Sequence, residues 1–174
     1  MITDLITMIG NVGRSFFSVQ HVVSGLAYVL GIFFIWKAIE KFKDASKKSS
    51  HDKLFTPTAY LLGGGALLYL PSISGVLANS VFGAGNILQY TNFNPYNIVS
   101  SMNFIIRTAG LIWFIRGCTL LVHASEPGVQ HGPKGMTFLL AGIFAMNFDN
   151  SIYYLNWVMN QILSYTLTAP ANSG

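Results

Sequence analysis

The sequence predicts an all-α integral membrane protein of four helices, built from two repeated transmembrane hairpins, and three observations carry that prediction. The first is composition. Of 174 residues, 52% are hydrophobic and only 9% are charged, against roughly 25% charged in an ordinary soluble domain. The second is the length of the uncharged stretches. Ser15 to Trp36 holds no Asp, Glu, Lys or Arg, and neither do the 53 residues from Leu54 to Ile106, a run longer than a buried helix of a small soluble domain needs. The third is an internal repeat. Gly31-Ile-Phe-Phe-Ile-Trp-Lys37, running on to Ala45-Ser46, returns 79 residues later as Gly110-Leu-Ile-Trp-Phe-Ile-Arg116, running on to Ala124-Ser125. After a polar connection, Tyr60-Leu-Leu-Gly-Gly-Gly in the first copy is matched by Phe138-Leu-Leu-Ala-Gly-Ile in the second. A repeat of two spans preserves orientation across a bilayer.

A hydrocarbon core about 30 Å thick takes about 20 helical residues, which places spans at 18–38, 57–79, 98–121 and 136–158. The chain then divides into an N-terminal segment (1–17), a first hairpin (18–83), an outer loop (84–97), a second hairpin (98–163) and a tail (164–174). In the N-terminal segment Ile2, Leu5, Ile6, Ile9 and Val12 fall at near-helical spacing, with Gly10 and Gly13 interrupting. This suits a short amphipathic helix lying in the interface or against a neighbouring subunit. It does not read as a classical signal peptide, since it carries Asp4, has no Lys or Arg ahead of its apolar residues and lacks a convincing small-residue cleavage site, and it is expected to stay attached.

Within the spans, Gly63, Gly64 and Gly65, with Gly25, Ala27, Gly142 and Ala145, offer small faces for close helix packing. Pro71 removes a backbone donor and is expected to kink the second span. The connection from Glu40 to Thr56 carries Lys41, Lys43, Lys47, Lys48 and Lys53, and short Lys-rich loops stay in the cytoplasm. His123 to Gly135 is expected on the same side. Both termini and the uncharged loop from Ala84 to Asn97 then face the opposite compartment, the periplasm of a Gram-negative cell. Trp36, Trp113 and Trp157 are read as interface anchors or packing residues.

Lys37 and Arg116 occupy equivalent places in the two repeats, at the cytoplasmic ends of the first and third spans, where long basic side chains snorkel to the surface. Arg107 and Asp149 are the anomalies. Arg107 lies nine residues before Arg116, roughly 13 Å along the helix, and Asp149, flanked by Asn147 and Asn150, lies inside the fourth span. A lone charge at a helix centre costs about 2.5 to 3.5 kcal/mol on insertion scales. The two are therefore expected to be buried and to meet, directly or through Asn147, Asn150 or a neighbouring subunit, as a structural pair or as the wall of a polar conduit.

The remaining motifs exclude more than they offer. Cys118 is the only cysteine, so an internal disulfide and a thiolate metal cluster are ruled out, and apolar packing is its expected role. His21, His51, His123 and His131 show no metal-ligand spacing, and the latter pair reads as solvated loop histidines. Gly128-Val-Gln-His-Gly-Pro-Lys-Gly135 lacks the glycine spacing and the Ser or Thr of a phosphate loop. No catalytic residue, cofactor or metal is expected, and the chain is not expected to be an enzyme. The net charge of +4 does not point to nucleic acid, because six of the ten basic residues sit between Lys37 and Lys53 in one loop.

The chain resembles the IcmC/DotE family of small inner-membrane proteins of the Dot/Icm type IVB secretion system, with its relatives DotV and IcmD/DotP. The resemblance is carried by Val22-Val-Ser-Gly-Leu-Ala-Tyr-Val-Leu-Gly31, Tyr60-Leu-Leu, Leu68-Tyr-Leu-Pro71 and Phe82-Gly83. In the second repeat it is carried by Gly110-Leu-Ile, Phe114-Ile-Arg-Gly117, Gly135, Ala141-Gly-Ile and Ala145-Met-Asn147. It implies a bacterial inner-membrane component of a machine that exports proteins or, in related systems, conjugates DNA. Its partners would be copies of itself, other secretion-system membrane subunits and the lipid bilayer. A pilin-like polymerising subunit and a small ion or solute channel or transporter are the competing readings.

Overall fold

A computed structural model describes residues 2–47, 54–70, 80 and 97–168 of the chain. Among them the fold is all-α, with five helices: α1 (Ile2–Ser46), α2 (Phe55–Leu68), α3 (Ile98–Ala124), α4 (Gly132–Met146) and α5 (Phe148–Thr168). Two stretches are long and apolar enough to cross a membrane, Thr7–Ser46 within α1 and the whole of α3.

Local chemistry marks several helix ends. Asn97 caps α3, its side-chain oxygen accepting from the backbone N–H groups of Val99 (3.0 Å) and Ser100 (3.4 Å), which fills donors a helix start leaves open. Pro57 and Pro133 sit in the first turns of α2 and α4, where a missing N–H costs nothing. Gly128 turns the chain between α3 and α4 with φ +84°, a conformation that favours glycine.

α1 and α2 form one hairpin and α3 and α4 the other; the two join chiefly through α1 and α3. The core between them holds Phe34, Leu67, Leu70, Leu111, Phe114 and Met146, all almost completely buried. Glycines set the spacing within each hairpin. A Cβ on Gly31 would lie 2.9 Å from the carbonyl oxygen of Gly64, and one on Gly64 would lie 2.9 Å from that of Gly31. In the second hairpin a Cβ on Gly142 would lie 2.8 Å from the Gly110 oxygen and 2.6 Å from the Phe114 nitrogen. Gly31 with Gly64 and Gly110 with Gly142 are equivalent pairs in the sequence repeat, so both hairpins cross at the same place. Where lipid surrounds helices, such close approach strengthens the dispersion contacts that hold them together.

Three expectations change. The segment 1–17 and the first span are not separate elements: α1 runs unbroken for 45 residues, about 67 Å at 1.5 Å per residue, and Gly10 and Gly13 lie inside it. The expected span 136–158 is broken at Asn147 into α4 and α5. Asn147 turns to φ −107°, ψ 41°, and the Ser151 hydroxyl takes up the slack, lying 2.8 Å from the Phe144 carbonyl and 2.9 Å from that of Asn147. The Asn147 to Ser151 stretch is rich in side chains that bond to nearby backbone in place of the helix ladder. Among the described residues a Cβ on Gly65 or Gly25 meets nothing within 4 Å, so neither packs against this chain's own described helices, whereas Gly63 faces Val122. Pro71 and most of the 84–97 loop lie outside the described residues.

Candidate functional site: two polar clusters at opposite ends of the bundle

The first cluster forms where α3 meets the start of α5. Asn103 and Arg107, one turn apart on α3, share a face and receive the two oxygens of Asp149. Asn103 Nδ2 donates to Oδ1 at 2.6 Å, and Arg107 Nη2 donates to Oδ2 in an ion pair. Asp149 sits in the first turn of α5, where the helix dipole favours an anion. The structure thus brings Arg107 and Asp149 together directly, and Asn150 Nδ2 donates to Asn147 Oδ1 at 3.4 Å. Burial differs from expectation. The Asp149 side chain is 53% exposed and that of Arg107 28% exposed, because the break at Asn147 swings α5 away from the bundle and leaves the carboxylate at its margin. Arg107 Nε and Asn147 Nδ2 are buried without a partner among the described residues, so the cluster holds polar capacity beyond the pair.

The second cluster lies at the other end, where the C-terminal turns of α1 and α3 meet the N-terminal turn of α2. The Tyr60 hydroxyl donates to Glu126 Oε1 at 2.6 Å, and Lys41 Nζ lies 3.1 Å from the same oxygen and 4.9 Å from the Tyr60 ring centre. The Thr56 hydroxyl donates to the Ser125 carbonyl at 2.7 Å. The His123 ring stands edge-on to Phe34 and is held by a 2.8 Å contact between Nδ1 and the Thr119 carbonyl. It therefore belongs to the last turn of α3 and not to a loop. Lys37 pairs with Glu40 at 2.8 Å, and Arg116 lies 5.1 Å from the Phe138 ring centre. Lys41 over Tyr60 and Arg116 over Phe138 each make a cation–π contact, worth about 0.5 to 1 kcal/mol at exposed sites, whereas Lys37, the repeat equivalent of Arg116, lies 5.9 Å from the Phe33 ring centre.

Sequence reasoning missed Asn103 and the whole second cluster. Asn103 carried a signal, one turn before an expected intramembrane Arg. Glu126 carried another, as the only acid between Asp52 and Asp149. Cys118 is buried and unbonded, as a packing residue would be, and among the described residues no group of His, Cys, Asp and Glu can hold a metal.

The hydrogen bond from Tyr60, with Lys41 beside it, holds the Glu126 carboxyl below its ordinary value of 4.5. A depressed carboxyl stabilises the fold fully above pH 4.5, and that contribution fades as pH falls through the folded-state value. Thermal midpoints of the detergent-solubilised chain are therefore expected to drop below pH 4.5, and Glu126→Gln is expected to flatten that drop and lower the midpoint at neutral pH.

No family model, curated protein or solved structure matches this chain.

Proposed function

We propose that the chain is a multi-pass membrane subunit of an oligomeric assembly, with four spans and both polar connections on the cytoplasmic side of a bacterial inner membrane. One observation carries this reading: the apolar surface is left uncovered. Only 22% of the most apolar window of α1 and 39% of that of α3 is buried inside the chain, whereas the core helix of a water-soluble domain buries most of its surface. Val22, Leu26, Val29, Ile32 and Ile39 are all more than half exposed along α1. Patches on this scale mark a lipid or protein contact surface. The meeting of the α1, α2 and α3 ends in one charged cluster supports a common side for the two connections. In this reading the second span contains α2, and the fourth is the bent pair α4 and α5.

The role is structural or conduit-forming. The assembly is a type IVB secretion apparatus, an assignment that rests on the sequence resemblance to the IcmC/DotE family. Crosslinking in native membranes tests it. Adducts between copies and to other secretion-system membrane subunits are expected, and recovery of monomers alone rejects the assembly. Sustained ion or solute flux through liposomes holding only this chain favours a transporter instead.

A further inference from the structure

We propose that the cleft where α1, α2 and α3 converge binds the headgroup of an ethanolamine phospholipid. The cleft encloses about 420 Å³ and is walled by Lys37, Glu40, Lys41 and Asp44 on one side and by Tyr60, His123 and Glu126 on the other, over a floor of Phe33 and Phe34. The proposal deepens the membrane reading above and rests on it.

The order of groups along α1 is the first argument. Phe33 and Phe34 come first, then Lys37, Glu40 and Lys41, then Asp44 beyond them, over about 16 Å of helix. From the membrane outward that order is apolar, then basic with Glu40 paired to Lys37, then acidic. An ethanolamine lipid presents the same sequence of needs: acyl ester, phosphate, primary ammonium. Each lysine makes one ion pair, to Glu40 or to Glu126, and an ammonium group carries three donors, so both retain N–H groups for a phosphate.

Charge balance is the second. Among the described lining residues the two lysines face three carboxylates, Glu40, Asp44 and Glu126. The carboxylates of this lining therefore outnumber its ammonium groups by one. A headgroup bearing only phosphate meets this excess as repulsion, whereas a headgroup that also carries an ammonium satisfies both signs. Three N–H donors on a primary ammonium match carboxylate acceptors, and a quaternary choline has none to offer.

The test is native mass spectrometry of the full-length chain in detergent with an equimolar mixture of dioleoyl phosphatidylethanolamine, phosphatidylcholine and phosphatidylglycerol. We expect the ethanolamine lipid to be retained about three- to fivefold over the glycerol lipid, the size of one partly exposed ion pair. Asp44→Asn should bring that ratio towards one, and Lys37→Gln should lower retention of the ethanolamine lipid itself. Equal or better retention of phosphatidylglycerol overturns the proposal, and so does a preference that survives both substitutions. Soluble phosphoethanolamine should compete poorly; if it binds as tightly as the lipid, the occupant is a free metabolite and the lipid assignment is wrong. Extraction of the chain from cell membranes by alkaline carbonate would overturn the membrane reading and the headgroup site together. A chain that resists extraction but shows no headgroup preference loses the site alone.

Discussion

Gly142→Leu is expected to prevent the second hairpin from assembling. A Cβ at Gly142 already meets the Phe114 nitrogen at 2.6 Å and the Gly110 oxygen at 2.8 Å, and Gly110 and Gly117 meet the backbone of α4 at 2.6 and 2.5 Å. These are backbone atoms, so relief requires α3 and α4 to separate and not a rotamer change. Overpacking of an otherwise intact core costs about 1 to 3 kcal/mol. Separating this hairpin also forfeits the contacts of Phe114, Ile143 and Met146, all nearly completely buried, so the loss should exceed that range. Gly65→Ala is the control. Its Cβ enters open space, and replacing a helical Gly by Ala gains up to about 1 kcal/mol in a soluble helix. Thermal unfolding in detergent, with membrane accumulation in cells, should rank Gly142→Leu far below the native chain and Gly65→Ala level with it or above.

Arg107→Leu is expected to cost more than Arg107→Leu combined with Asp149→Leu. Among the described residues, removing the arginine leaves the carboxylate with Asn103, and under the proposed membrane reading a lone charge at a helix centre costs about 2.5 to 3.5 kcal/mol. The double substitution removes both charges, leaving two apolar side chains where α3 meets α5. A coupling of about 1 to 2 kcal/mol is expected from a cycle of the two single variants and the double variant, with the exposure of Asp149 keeping it below the value for a buried pair. Simple additivity, read from thermal midpoints or from the yield of assembled complex, would show that the pair contributes nothing as a pair.

What could be read from the residues divides along a physical line. Periodicity and charge depletion gave the all-α class and the position of α3, because 27 residues of α3 are enough for the pattern to speak. Gly64 and Gly142 were legible as packing glycines, whereas their partners Gly31 and Gly110 stood in the sequence only as the first residues of the repeat. The break at Asn147 was not legible from hydropathy, which averages over Asn147, Asp149 and Asn150 within an apolar background. Their competition with the ladder becomes visible only when Ser151 is seen bonded to the carbonyls of Phe144 and Asn147. The pairing of Arg107 with Asp149 followed from the cost of leaving either alone. Tyr60, Glu126 and Lys41 did not, because Lys41 and Glu126 read as ordinary polar residues of the connections and Tyr60 as one apolar residue of the second span until three helix ends bring them together.

The length of α1 has a mechanical meaning. At an ordinary tilt of about 20°, some 21 residues cross a 30 Å hydrocarbon layer, and confining all 45 residues would need a tilt above about 60°. Under the proposed membrane reading more than half of α1 stands clear of the acyl chains, as a stiff spar that fixes the distance and bearing between the bilayer and whatever is fastened to its far end.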